Sequence, residues 1–223
     1  MSGEIQDLLT RRKFVAGLGS VMVLAGGGVR SLAQTQFTGE SALRELMAGN
    51  QRFVEKKLTS FELDLRILKE NTVSKQEPFA AVLSCADSRV PVELIFDQSI
   101  GHLFVTRVAG NMMTPEIAAS LEYGVAVLGV KAIMVMGHSN CGAISAALHA
   151  KEVPGQISVL YQHLMPGIKD AHDDVALGVR LNAAYQTKLL RDSSTVIAKA
   201  IKENGLKVVG GSYDLGTGRV TLV

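Results

Sequence analysis

The chain has 223 residues, 47% of them hydrophobic and 20% charged, with 23 Lys+Arg against 21 Asp+Glu. That length suits one ordinary domain, and that mix excludes a disordered chain, a collagen-like repeat and a coiled coil. Two cysteines exclude a disulfide-dense scaffold, and a net charge of +2 excludes the strongly basic balance of a nucleic-acid-binding domain.

The first 33 residues read apart from the rest. Arg11, Arg12 and Lys13 precede an apolar, glycine-rich run from Val15 to Val29, and Ser31-Leu32-Ala33 offers the small residues that a signal peptidase reads. The pattern resembles a twin-arginine export signal. The run is shorter than the ~20 apolar residues that span a bilayer. Residues 1–33 are therefore expected to be a leader presented to export machinery, and the destination a bacterial periplasm. With the leader set aside, 19 basic and 19 acidic residues remain, so the slight basicity gives no sign of a nucleic-acid partner.

Residues 34–223 carry no internal repeat or long linker and read as a single domain. Leu43, Leu46, Met47, Phe53 and Val54 recur at helical spacing, predicting an N-terminal helical arm from Ser41 to about Lys57 with Ser41 as N-cap. Short apolar runs follow at 79–83, 103–108, 132–136, 206–209 and 219–223, each predicting a strand. Between them, 114–128 predicts a helix with Pro115 in its first turn. Residues 141–149 predict a shorter one, with Gly142 allowing a tight turn into it. Residues 173–203 predict two helices meeting near Asp192-Ser193-Ser194. Pro154, Gly155, Pro166 and Gly167 leave 154–171 poorly defined. The whole predicts an α/β fold: a mainly parallel central sheet, an antiparallel edge hairpin and helices on both faces.

In such sheets ligands sit beyond the carboxyl ends of the strands. Two loops qualify. Strand 79–83 runs into Ser84-Cys85-Ala86-Asp87-Ser88-Arg89, and strand 132–136 into Gly137-His138-Ser139-Asn140-Cys141-Gly142. If the two strands are close neighbours, Cys85, His138 and Cys141 converge. Two thiolates and an imidazole suit zinc, and three ligands leave a fourth position for water. Cys141 opens a helix, where the positive end of the backbone dipole favours a thiolate. A structural disulfide between Cys85 and Cys141, or a closed zinc site, is the alternative for an exported protein. Asp87, Arg89 and His138 weigh against it.

Cys85-Ala-Asp-Ser-Arg89 and His138-Ser-Asn-Cys-Gly142 resemble the two zinc motifs of the beta-class carbonic anhydrases. Gly49-Asn-Gln-Arg-Phe53, Arg107-Val-Ala-Gly-Asn111, Ser120-Leu-Glu-Tyr-Gly124 and Gly211-Ser-Tyr-Asp-Leu215 are similar to further blocks of that family. The likeness covers about residues 40–223. It implies a single catalytic zinc domain that hydrates carbon dioxide reversibly to bicarbonate and a proton through a zinc-bound hydroxide. One Zn2+ per subunit would be held by Cys85, His138 and Cys141, with Asp87 and Arg89 as a catalytic dyad. It further implies a homodimer or larger homo-oligomer, with the first helix packed across onto a neighbour. Asp87 has two possible places, on the metal or held off it by the Arg89 fork. Two thiolates offset the metal's charge, so activity should rise toward alkaline pH. Hydrolysis of carbon disulfide or carbonyl sulfide on the same scaffold is the rival activity. Gln98 is a weaker candidate as a donor to bicarbonate.

Overall fold

The computed structural model describes residues 37–60 and 75–223. The leader read at 1–33 lies outside the described residues. Among the described residues, no helix is long and apolar enough to cross a membrane.

The first helix, α1 (Gly39–Val54), starts two residues before the expected Ser41. Thr38 is its N-cap, and Ser41 is the third helical residue of a capping box: Thr38 Oγ1 accepts from the Ser41 N–H, and Ser41 Oγ accepts from the Thr38 N–H. Ala42 and Leu46 pack one side of the helix against the chain's own sheet, and Gly49 and Asn50 are buried as well.

Four strands run parallel: β1 (Ala80–Ser84), β2 (Leu103–Arg107), β3 (Ala132–His138) and β4 (Lys207–Tyr213). A short β5 (Val220–Leu222) pairs antiparallel with β4, giving the order β2-β1-β3-β4-β5. β3 and β4 run further than their apolar cores suggested, because residues from Gly137 to His138 pair with Ser212 and Tyr213. His138 is thus the last residue of a strand rather than part of a loop.

Alternate residues of each strand face opposite sides. Ala80, Val82, Met134 and Met136 meet α1 and a single-turn α2 (Val92–Ile95), which the sequence reading missed. Ala81, Leu83, Ile133 and Val135 meet the other layer. That layer holds α3 (Pro115–Ala126), capped by Thr114, together with the helices of residues 175–204. The expected pair at 173–203 is α6 (Val175–Ser193) and α7 (Thr195–Asn204), joined at Ser194, whose hydroxyl caps α7.

The weakly patterned stretch at 154–171 is helical. A 3-10 turn (Gly155–Ser158) leads into α5 (Val159–Ile168). Pro166 lies inside this helix, where it removes one N–H from the hydrogen-bond ladder. A Cβ on Gly167 would lie 3.1 Å from the Tyr185 ring, so this glycine is what lets α5 and α6 touch. Between β3 and α5, α4 (Gly142–Leu148) begins directly after Cys141.

Candidate metal centre

β1 and β3 are adjacent and in register from Ala80↔Ala132 to Ser84↔Met136. Their carboxyl ends therefore bring Cys85 beside His138. Cys141 completes the group as N-cap of α4. The ligand atoms of Cys85, His138 and Cys141 all lie within 4.8 Å of one another, and all three residues are buried. Among the described residues, no fourth His, Cys, Asp or Glu joins this group. Both cysteines are free, so the disulfide alternative does not hold.

The donor set fits a zinc ion. His138 Nδ1 lies 2.9 Å from the Ser139 carbonyl, which fixes the N–H there and leaves Nε2 with its lone pair free. Nε2 is buried and has no hydrogen-bond partner. A buried imidazole nitrogen left this way, beside two free thiols, has the chemistry of a metal ligand. The two thiols interact closely. A hydrogen bond from Cys141 lowers the pKa of Cys85 against the effect of burial, with further help from the Gly110 N–H. The Cys85 sulfur in turn pushes Cys141 up, and burial adds to this, although the N–H groups of Ile144 and Ala143 pull it down. The helix terminus alone would have favoured Cys141 as the thiolate. Between the two sulfurs, the hydrogen bond from Cys141 favours Cys85 as the thiolate instead.

The tight turn before α4 does not come from Gly142, where a Cβ would meet nothing within 4 Å. Asn140 takes the left-handed conformation instead, at φ 54°.

Asp87 and Arg89 meet beside the triad. Arg89 Nε donates to Asp87 Oδ1 at 2.9 Å and its Nη2 to Oδ2 at 2.8 Å, a bidentate fork. The Arg89 backbone N–H adds a third bond to Oδ1 at 2.9 Å. These bonds hold the Asp87 carboxyl well below the usual carboxylate range, Arg89 being the main cause. Asp87 Oδ2 lies 3.7 Å from His138 Nε2, so the forked carboxylate borders the metal position.

Arg107 has a part that the sequence reading left unassigned. From the end of β2 it donates to the Cys85 carbonyl at 3.0 Å and to the Asp87 carbonyl at 2.5 Å, clamping the loop between them. Its place at a strand end next to the Cys85 strand was the available signal. Gln98 lies elsewhere. Its amide nitrogen is committed to Glu45 Oε1 and the Phe96 carbonyl, each at 3.1 Å, so it is not a free donor to a substrate. Met112, Ile144, Leu164 and Val179 pack with the two cysteines in one buried apolar cluster.

The comparisons with known proteins agree with this geometry. The family model described as carbonic anhydrase matches residues 80–220. Carbonic anhydrase 2 of Mycobacterium tuberculosis is 34% identical over 192 residues, covering 82% of this chain and 91% of the relative. A carbonic anhydrase of Pseudomonas aeruginosa is 32% identical over 168 residues, covering 69% of this chain and 76% of the relative. Among solved structures, a beta-carbonic anhydrase of Aspergillus fumigatus superposes with a TM-score of 0.67 at 26% identity, covering 82% of this chain and 89% of that one. A tetrameric beta-carbonic anhydrase of Sordaria macrospora superposes with a TM-score of 0.65 at 26% identity, covering 82% of this chain and 97% of that one. The family match, the sequence identity and the superposed fold leave one assignment: the chain belongs to the beta-class carbonic anhydrase family.

Proposed function

We propose that this protein catalyses the reversible hydration of carbon dioxide to bicarbonate and a proton, as a zinc enzyme whose metal is held by Cys85, His138 and Cys141. The observation that carries the reading is the buried triad with its partnerless His138 Nε2, bordered by a carboxylate that a guanidinium has already engaged. Zinc, when bound, supplies a Lewis acid that acidifies a water near neutral pH.

The chain's own residues do the rest. Ionised Asp87 accepts a hydrogen bond from the attacking water at Oδ2 and aims its lone pair at the substrate carbon. Arg89 keeps Asp87 from swinging inward as a further ligand, because both carboxylate oxygens are already tied to its fork. Arg107 holds the main chain of the same loop.

A pH-indicator assay on zinc-analysed protein tests the reading. Hydration rising with pH at one zinc per subunit is expected, and no hydration in a zinc-replete sample overturns it. Asp87→Ala and Arg89→Ala should each lower turnover by about 10-fold or more with zinc retained. Normal turnover at full occupancy would remove the dyad from the mechanism.

The protein assembles as a homo-oligomer, and the relative from Sordaria macrospora is described as tetrameric. The leader sends it to the periplasm through the twin-arginine route, which carries folded cargo and so protects a metal site loaded beforehand. Replacing Arg11 and Arg12 by Lys should retain the protein in the cytoplasm. Unchanged periplasmic recovery would refute this route.

A further inference from the structure

Asn182 and Gln186 lie one turn apart on α6, and both are fully buried. Neither belongs to the metal triad. Burying a carboxamide is costly unless its hydrogen bonds are met. Here the bonds converge on the segment that follows β2. Asn182 Nδ2 donates to the Gly110 carbonyl at 2.9 Å, and its Oδ1 accepts from Gln186 Nε2 at 3.1 Å. Gln186 Oε1 accepts the Met113 N–H at 2.8 Å, and Nε2 also donates to the His163 carbonyl at 2.9 Å. The pair thus braces both ends of 110–113 and ties it to α5. Gly110 sits at φ 77°, and a Cβ there would come within 2.9 Å of Leu164. In this conformation its N–H points at Cys85 Sγ, 3.3 Å away.

We propose that Asn182 and Gln186 are positioning residues for the metal centre, holding the 110–113 segment so that the Gly110 N–H stays hydrogen-bonded to the Cys85 sulfur. The proposal rests on the metal reading of the triad and goes beyond its ligands. A hydrogen bond to a thiolate draws electron density from sulfur, which weakens its donation to a bound metal and keeps that metal electrophilic. Apolar side chains at 182 and 186 would fill the same space but remove the partners of the Gly110 carbonyl and the Met113 N–H.

Metal content and NMR of the cadmium-loaded wild type test the proposal without any variant. A scalar coupling between the Gly110 amide proton and cadmium is expected across the N–H···S bond. A wild type that binds no metal overturns the metal reading and this proposal with it. A cadmium-replete protein without the coupling overturns this proposal alone. In the cobalt-loaded protein, Asn182→Leu and Asn182→Asp should move the sulfur-to-cobalt charge-transfer band to longer wavelength. Their kcat should fall about 10-fold with KM unchanged. Thr187→Val serves as the control, since that buried hydroxyl donates within its own helix to the Ala183 carbonyl at 2.7 Å. Its band should stay in place. An unmoved band in folded Asn182→Leu, or an equal shift in Thr187→Val, refutes the positioning role.

Discussion

Asp97 has a side chain with no exposed surface, and it sits among donors rather than metal ligands. Burial opposes its ionisation. Bonds from Arg52 Nε at 2.5 Å, the Thr59 and Ser60 N–H groups at 2.9 and 3.0 Å, and the Thr59 hydroxyl at 2.8 Å outweigh that. The result is a pKa lowered to about 2. An unfolded Asp titrates near ~3.9, so the folded state binds its proton less readily. The stability gained is fully present above that unfolded value and is lost as pH falls through the folded one. It amounts to about 2 kcal/mol. Asp97→Asn should therefore lower the melting temperature at neutral pH, with the gap to wild type closing toward pH ~2. A gap that does not change with pH would refute the charge-based account. Arg107 acts at the same scale. Arg107→Ala should weaken zinc about 10-fold, read by chelator competition, since second-shell losses have that size. Arg107→Lys should not restore it, because an ammonium lacks the planar fork that reaches both the Cys85 and Asp87 carbonyls.

The segment Gly49-Asn-Gln-Arg-Phe53 of α1 acquires a physical meaning in the fold. A Cβ on Gly49 would lie 1.8 Å from the Phe96 carbonyl oxygen, so helix and loop backbone are in contact there. Asn50 bridges three segments: Nδ2 donates to the Ile95 carbonyl at 3.2 Å and the Gly218 carbonyl at 2.9 Å, and Oδ1 accepts the Val220 N–H at 2.8 Å. Arg52 reaches Asp97, and the Phe53 ring packs at Gly218, where a Cβ would come within 2.9 Å of it. Gly49→Ala should lift α1 from this seat at a cost of about 3 kcal/mol, visible in chemical denaturation. Gly142→Ala, in open space at the start of α4, should be neutral or slightly stabilising. Equal losses at the two sites would contradict the close-approach argument. Helicity at 154–171 is decided at this scale too. Pro166 and Gly167 are poor local signals, and it is contact with α6 that makes α5 a helix.

Across the described fold, the metal triad joins the end of β1 to the end of β3 and the start of α4, which lie more than 50 residues further along the chain. A cation that binds only the folded arrangement stabilises it by mass action, about 2.7 kcal/mol at a hundredfold excess over Kd. For a domain of this size, chelation should lower the melting temperature by about 5–10 °C. It should also expose two titratable thiols per chain. An unchanged melting curve after complete zinc removal would mean that the triad folds independently of its ion.

Residue types and local order determined much of this protein unaided. The apolar runs marked all five strands of the described residues, and Cys85, Asp87, Arg89, His138 and Cys141 stood out because few chemistries need two thiols, an imidazole and a carboxylate–guanidinium pair at strand ends. Their meaning still depended on which strands are neighbours, and that is a property of the sheet. Only the tertiary structure decided that β3 carries His138 as its last paired residue, that Asn140 rather than Gly142 makes the turn, and that Arg107 clamps the cysteine loop. The same holds for Asn182 and Gln186, two ordinary helix positions until α6 is laid beside the 110–113 segment. Hydrogen-bond partners more than 70 residues distant leave no local trace, because periodicity and propensity record only what neighbouring residues impose on one another.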